Sequence, residues 1–204
     1  MDTIDPKKAL RQRMKALRAG MDHSDAVQRS LGATGHFRAL SGYATADIVL
    51  AFLSMPGEIA TEALVEAAMA DGKVVAVPRM ERSSEDGDYI VFVPLPREYR
   101  SWPLDRYGIP EPPVDAPSLA PATLGAARVI VATPGLAFDR RGGRLGRGKG
   151  YYDRFLSQAR EATARYGGSL LACGLCYALQ LVDEVPTSGG DQRVDMVVTE
   201  NGRA

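Results

Sequence analysis

The chain has 204 residues, in which 25 Lys plus Arg balance 25 Asp plus Glu, with two His, two Cys and 45% hydrophobic residues. That length suits one domain over 1–204, which would bury roughly 70% of its unfolded surface and needs no disulfide or metal to hold a core. A formal charge of zero excludes a globally basic nucleic-acid binder, an average hydrophobic share excludes a disordered chain, and no apolar run approaches the ~18 residues of a membrane span. The start, Met1-Asp2-Thr3-Ile4-Asp5, has neither the basic head nor the apolar middle of a signal peptide. Two Cys make no disulfide framework. The expectation is a cytoplasmic protein with no membrane and no nucleic-acid partner.

Asp5-Pro6 predicts a capped helix start and Gly20 its stop, with Leu10, Met14 and Leu17 at helical spacing facing the core. Ser24 is expected to cap a second helix running to about Leu40. Asp47–Leu53 is a continuous apolar run of strand length, as in a strand buried on both faces. Ser54–Gly57 reads as a loop, Ala60–Met69 as a helix and Lys73–Pro78 as the next buried strand. Residues 47–78 therefore form a β-α-β unit, which implies a parallel sheet with helices on its faces. Tyr89–Val93 is a further strand. Pro94–Pro121 carries eight prolines and predicts a wrapping loop. Arg128–Thr133 reads as a strand, Pro134–Gly150 as a loop and Tyr151–Tyr166 as a helix; Ser169–Cys176 and Met196–Thr199 complete the strands. The fold class is α/β with a mostly parallel sheet. In such sheets ligands sit beyond the carboxyl ends of the strands, which directs attention to Ser54–Glu58, Pro78–Met80 and Pro134–Gly150.

The stretch Asp139–Gly150 holds five basic residues and five glycines in twelve positions. Glycines let backbone N–H groups turn toward a ligand, a following helix N-terminus adds partial positive charge, and Arg and Lys neutralise the rest. This is the chemistry of a polyphosphate cradle. It is not a Walker A loop, because Lys149 is followed by Gly150 and Tyr151 rather than Ser or Thr. The competing reading is a solvated Gly/Arg loop. In the first helix Lys7, Arg11, Lys15 and Arg18 fall on one stripe, either a solvated face or a set of cations bordering a cleft. Glu58 follows a buried strand and suits an amino or pteridine-type N–H donor, the role of a base, or the helix dipole. Asp153 and Asp195 are of the type that holds Mg²⁺ beside a phosphate; otherwise Asp153 simply pairs with Arg154 or Arg147 and Asp195 caps a turn. Cys173 and Cys176 match C-x-x-C within a strand pattern and read as inert buried thiols. His23 and His36 lie away from the candidate loops and carry no catalytic or metal assignment.

Leu145-Gly146-Arg147-Gly148-Lys149-Gly150-Tyr151-Tyr152-Asp153, preceded by Pro134–Asp139, resembles the signature of the 5-formyltetrahydrofolate cyclo-ligase family. Lys7-Lys8-Ala9-Leu10-Arg11, Leu53-Ser54-Met55 with Glu58, Val77-Pro78-Arg79, Tyr107–Pro112 and Val194-Asp195 through Thr199-Glu200 are similar to further family segments in the same order. The resemblance implies a three-layer α/β/α fold. It also implies a ligase that closes 5-formyltetrahydrofolate to 5,10-methenyltetrahydrofolate with ATP and Mg²⁺; a monomer or weak homodimer is expected. By the same resemblance Lys7, Arg11 and Arg144, Leu145, Gly146, Arg147, Gly148, Lys149, Gly150, Tyr151 and Tyr152 bind ATP. Leu53, Glu58 and Gly148–Tyr152 contact the folate, Arg147 and Lys149 are catalytic, and Asp153 and Asp195 hold Mg²⁺. One segment departs: where family members often carry Glu-Pro-His-Asp, this chain has Ser188-Gly189-Gly190-Asp191. The alternatives are a paralogue that binds nucleotide or folate without this turnover, and a sugar-phosphate or acyl-transfer enzyme on a similar fold.

Overall fold

A computed structural model describes residues 5–83 and 87–204; residues 1–4 of the N-terminal segment read above lie outside this range. Helix α1 (Pro6–Ala19) starts where Asp5 accepts the Lys7 backbone N–H and ends at Gly20. Only part of its expected inner face is inside: Met14 is fully buried and Leu10 partly so, but Leu17 is 44% exposed. The reason is that α1 covers a small outlying cluster of Leu136, Ala137, Leu145 and Val185 rather than the main core, a narrow contact that one turn satisfies. Helix α2 (His23–Arg38) is capped by Asp22, not Ser24: the Asp22 carboxylate takes both the Ser24 and Asp25 N–H groups. A short α3 (Ser41–Thr45) follows before β1 (Ile48–Leu50), then α4 (Glu62–Ala70) and β2 (Val74–Glu81).

Strand β3 (Tyr89–Pro94) runs antiparallel to β2. Pro78–Met80, expected as a loop, is inside this pairing, opposite Phe92, Val91 and Ile90. The proline-rich stretch is ordered because the buried Arg79 donates to the carbonyls of Pro113 and Ala116; it ends in α5 (Pro121–Ala126), a short helix that the sequence reading missed. Strand β4 (Arg128–Thr133) leads into a two-stranded hairpin, β5 (Ala137–Phe138) with β6 (Arg144–Leu145), so the expected loop is partly regular structure. Helix α6 (Tyr151–Tyr166), β7 (Ser169–Leu175), β8 (Met196–Thr199) and the short β9 (Gly202–Arg203) complete the chain.

The seven-stranded sheet has the order β3-β2-β1-β4-β7-β8-β9, parallel from β2 through β8 with an antiparallel strand at each edge. Alternation along β1 divides the core. Val49 and Ala51 join the cluster under α2, α3 and α4, while Ile48 and Leu50 join the one under α5 and α6. Two apolar faces covered by two helical layers explain why the strands read as continuous hydrophobic runs. Among the described residues no helix is long and apolar enough to cross a membrane.

Candidate active site

At the carboxyl ends of β1 and β4 lies a cavity of about 410 Å³, of ordinary size for a small-molecule site. Its floor is Phe52, Leu53, Pro78 and Pro134; its walls are Lys7, Arg11, Glu58, the stretch Arg144–Asp153, and Asp191. The fold therefore brings together α1, the segment after β1, the segment after β6 and the turn before β8.

The wall Arg144–Gly150 is built from β6 into the start of α6. Gly148 and Gly150 have φ of 103° and 69°, in the region that glycine alone enters without strain. They turn the chain so that α6 begins at Gly150 with no side-chain cap, leaving its first-turn N–H groups to face an anion. Arg11 fastens this wall to α1 by donating to the Gly146 carbonyl at 3.1 Å.

The five cations of the Gly/Arg stretch divide. Arg144 is buried and pairs with Asp153 at 2.6 Å, its guanidinium also lying 5.8 Å from the Tyr152 ring centroid. Arg147 is half exposed and donates to Glu58 at 2.7 Å. Lys149 is exposed at the rim, with no side-chain partner among the described residues. Arg140 and Arg141 do not line the cavity. They sit at the hairpin tip, where Asp139 takes the Arg141, Gly143 and Val185 N–H groups and turns the chain away.

Glu58 closes the Met55–Glu58 turn. Its Oε2 accepts the Met55 N–H at 3.1 Å, and its backbone carbonyl accepts the Tyr177 hydroxyl. The Tyr152 hydroxyl is buried without a hydrogen-bond partner among the described residues. Burial first, and the Glu58 charge next, push its pKa well above the ordinary phenol value, so it stays protonated and able to donate.

The carboxylates fall differently from expectation. Asp153 lies in the first turn of α6, where its Oδ1 accepts Arg144 and the Gln192 N–H. Asp195 is not among the residues lining the cavity. It stands at the amino end of β8, with Oδ2 on the Ala172 N–H and Oδ1 on Arg160. Arg160 is seven residues beyond Asp153 on α6, about 10 Å along the axis. The acid that joins Asp153 at the cavity is instead Asp191, next to the Gln192 amide that holds Asp153. Its Oδ2 accepts Lys7 at 2.6 Å and the Ser188 N–H at 2.6 Å. Lys7 also donates to the Ser188 hydroxyl, so the departing Ser188-Gly189-Gly190 segment still fastens Asp191. Sequence reasoning singled out Asp195 over Asp191 because a short turn carries no periodic signal of direction.

Asp153 and Asp191 each spend one oxygen on protein donors and leave the other without a partner among the described residues. Such a donor set fits a hard cation completed by phosphate oxygens and water; it is too sparse for an all-protein cage, and no group of three His, Cys, Asp or Glu among the described residues makes one. Both cysteines are buried, and burial pushes their thiols well above the ordinary value, as befits inert core groups.

The model of the 5-formyltetrahydrofolate cyclo-ligase family matches residues 3–200. The mouse protein named 5-formyltetrahydrofolate cyclo-ligase is 30% identical over 198 residues, covering 96% of this chain and 92% of its own. The protein of that name from Mycolicibacterium smegmatis is 35% identical over 156 residues, covering 74% of this chain and 72% of its own. The NMR structure of Aquifex aeolicus 5,10-methenyltetrahydrofolate synthetase superposes with a TM-score of 0.73 at 25% identity, covering 97% of this chain and 91% of that one. With the architecture and the match over nearly its whole length in agreement, this chain belongs to the 5-formyltetrahydrofolate cyclo-ligase family, a family of ligases.

Proposed function

We propose that the protein, acting as one domain, closes 5-formyltetrahydrofolate to 5,10-methenyltetrahydrofolate at the expense of ATP, releasing ADP and phosphate. The observation that carries this reading is the Arg147–Glu58 ion pair, which joins a phosphate-type cradle to a carboxylate suited to pterin N–H donors across one cavity.

A formamide oxygen leaves poorly, so it is first made into a phosphate. The formyl oxygen attacks the γ-phosphorus, the new O–P bond forming as the bond to the ADP oxygen breaks. The N10 lone pair then attacks the activated carbon and N10 gives up its proton. The C–O bond breaks, with its electrons leaving on phosphate, and N5–C–N10 remains as the methenyl bridge. Phosphoryl transfer of this kind needs positioning and charge stabilisation more than covalent help. Arg147 and Lys149 supply the charge, the α6 N-terminus and the glycine-bounded backbone receive phosphate oxygens, and Lys7 and Arg11 hold the flank. Glu58 orients the pterin, Leu53 packs against it, and the Tyr151 and Tyr152 side chains close the reacting end, with the Tyr152 hydroxyl available as donor. Asp153 and Asp191 would hold Mg²⁺, which neutralises nucleotide charge when bound; Asp195 fastens α6 to the sheet through Arg160. Near-ultraviolet absorbance of the methenyl product tests the reading. An ATP-dependent rise supports it, whereas ligand-induced thermal stabilisation without any rise marks the non-catalytic paralogue.

A further inference from the structure

Behind Glu58 opens a second cavity of about 700 Å³, which shares Leu53, Met55 and Glu58 with the first. Arg18, in the last turn of α1, lines it beside Glu58 and also bounds the closed seam beneath, against Phe52, Ile59 and Gln180. The Nε and Nη1 atoms of Arg18 are buried and have no hydrogen-bond partner among the described residues. A charged donor shut away unpaired carries a desolvation cost, so its retention calls for a compensating charge. The carboxylate that borders both spaces with Arg18 is Glu58. Burial draws the Arg18 guanidinium below its ordinary value, Glu58 opposes the shift, and Arg147 adds to it. Arg147 contacts the Glu58 carboxylate at 2.7 Å, whereas Arg18 borders the same carboxylate with no ion pair to it inside 4 Å and acts on it as a nearby charge.

They are held in different ways. Arg147 is half exposed on a segment flanked by Gly146 and Gly148 and reaches Glu58 directly. Arg18 belongs to a 14-residue helix anchored by the buried Met14 and by the Arg11 and Lys7 contacts. On the cyclo-ligase reading, a nucleotide phosphate competes for Arg147. Once Arg147 turns to it, Glu58, whose side chain is 12% exposed, keeps the Met55 N–H as its hydrogen-bond donor.

We infer that Arg18 is a positioning residue for Glu58, the fixed counter-charge that holds this carboxylate toward the folate after the nucleotide has taken Arg147. Arg18 acts through Glu58 and touches neither the phosphates nor the reacting carbon. The inference rests on the cyclo-ligase reading, and wild-type protein that neither binds nor turns over 5-formyltetrahydrofolate would refute that reading itself.

Steady-state kinetics on Arg18→Gln and Arg18→Lys test it. Arg18→Gln raises KM for 5-formyltetrahydrofolate about tenfold while kcat and the KM for ATP stay within about twofold, because removing a shielded counter-charge beside Glu58 weakens binding at that carboxylate. Arg18→Lys, which restores the charge, recovers most of the loss. Arg18→Met, which keeps the bulk, serves with the same expected split should Arg18→Gln fail to fold. In a Glu58→Gln background the Arg18→Gln substitution adds little further loss. An unchanged folate KM in Arg18→Gln, equal losses in the Gln and Lys variants, or the same tenfold loss without Glu58 would each overturn the inference.

Discussion

Residues 139–143 and 144–150 are neighbouring parts of one stretch with nearly the same composition, glycine and arginine, yet they do opposite things. At the hairpin tip the Asp139 carboxylate gathers three backbone N–H groups inward, and Arg140 and Arg141 face outward, the latter pairing with Glu184. In the second part the backbone N–H groups are left open by Gly148 and Gly150, and the cations stand around a cavity. Composition sets how much charge a loop carries. Its direction is set by where an internal acceptor uses up the amides and by where the next helix begins.

This contrast can be broken from either side. The largest effect belongs to the open part: Lys149→Ala or Arg147→Ala lowers kcat at least ~10²-fold, the scale of one lost transition-state donor, read in the methenyl absorbance assay. Next comes the closed part: Asp139→Ala destabilises the fold by about 2–3 kcal/mol by stranding buried amides, measured by urea unfolding, while ATP affinity of the folded fraction is kept. Asp191→Asn raises the Mg²⁺ concentration for half-maximal rate about tenfold, whereas Asp195→Asn leaves it within about twofold. Acid gives a smaller effect. Burial raises the Asp139 pKa, but the Val185, Gly143 and Arg141 amides outweigh it and the net shift is downward from 3.8. A carboxylate depressed in the folded state stabilises above its unfolded value and loses that contribution as pH falls through the folded one. The stability gap between wild type and Asp139→Ala is therefore full at pH 7 and shrinks below about pH 4, seen in urea midpoints at each pH. Smallest of all, Arg140→Ala changes kcat/KM less than about twofold, as expected of an exposed charge off the site.

Much of this was legible in the residues, in proportion to how far each element depends on itself. Arg128–Thr133 and Tyr151–Tyr166 begin and end as expected, since a run buried on both faces and a helix between two glycines carry their own boundaries. The β5–β6 hairpin, α5 and β9 are too short for a periodic signal, and the hairpin also leans on a segment far along the chain, where the Phe138 carbonyl accepts the Val182 N–H. The cation-rich wall was visible because glycine and arginine densities are local. What escaped is the sorting within it: Arg144 turned inward to Asp153, Arg140 and Arg141 turned away, and Asp191 in the place expected for Asp195. The last two depend on contacts across dozens of residues, and the first, nine residues apart, joins a strand to a helix across a turn, so no spacing rule encodes them.

The central claim is that the formyl oxygen is phosphorylated in this cavity and leaves on phosphate. The most direct measurement is a single turnover of 5-formyltetrahydrofolate carrying ¹⁸O in the formyl group, with mass analysis of the phosphate released. The account predicts one ¹⁸O per phosphate formed alongside the methenyl product; unlabelled phosphate, with the product still forming, would contradict it.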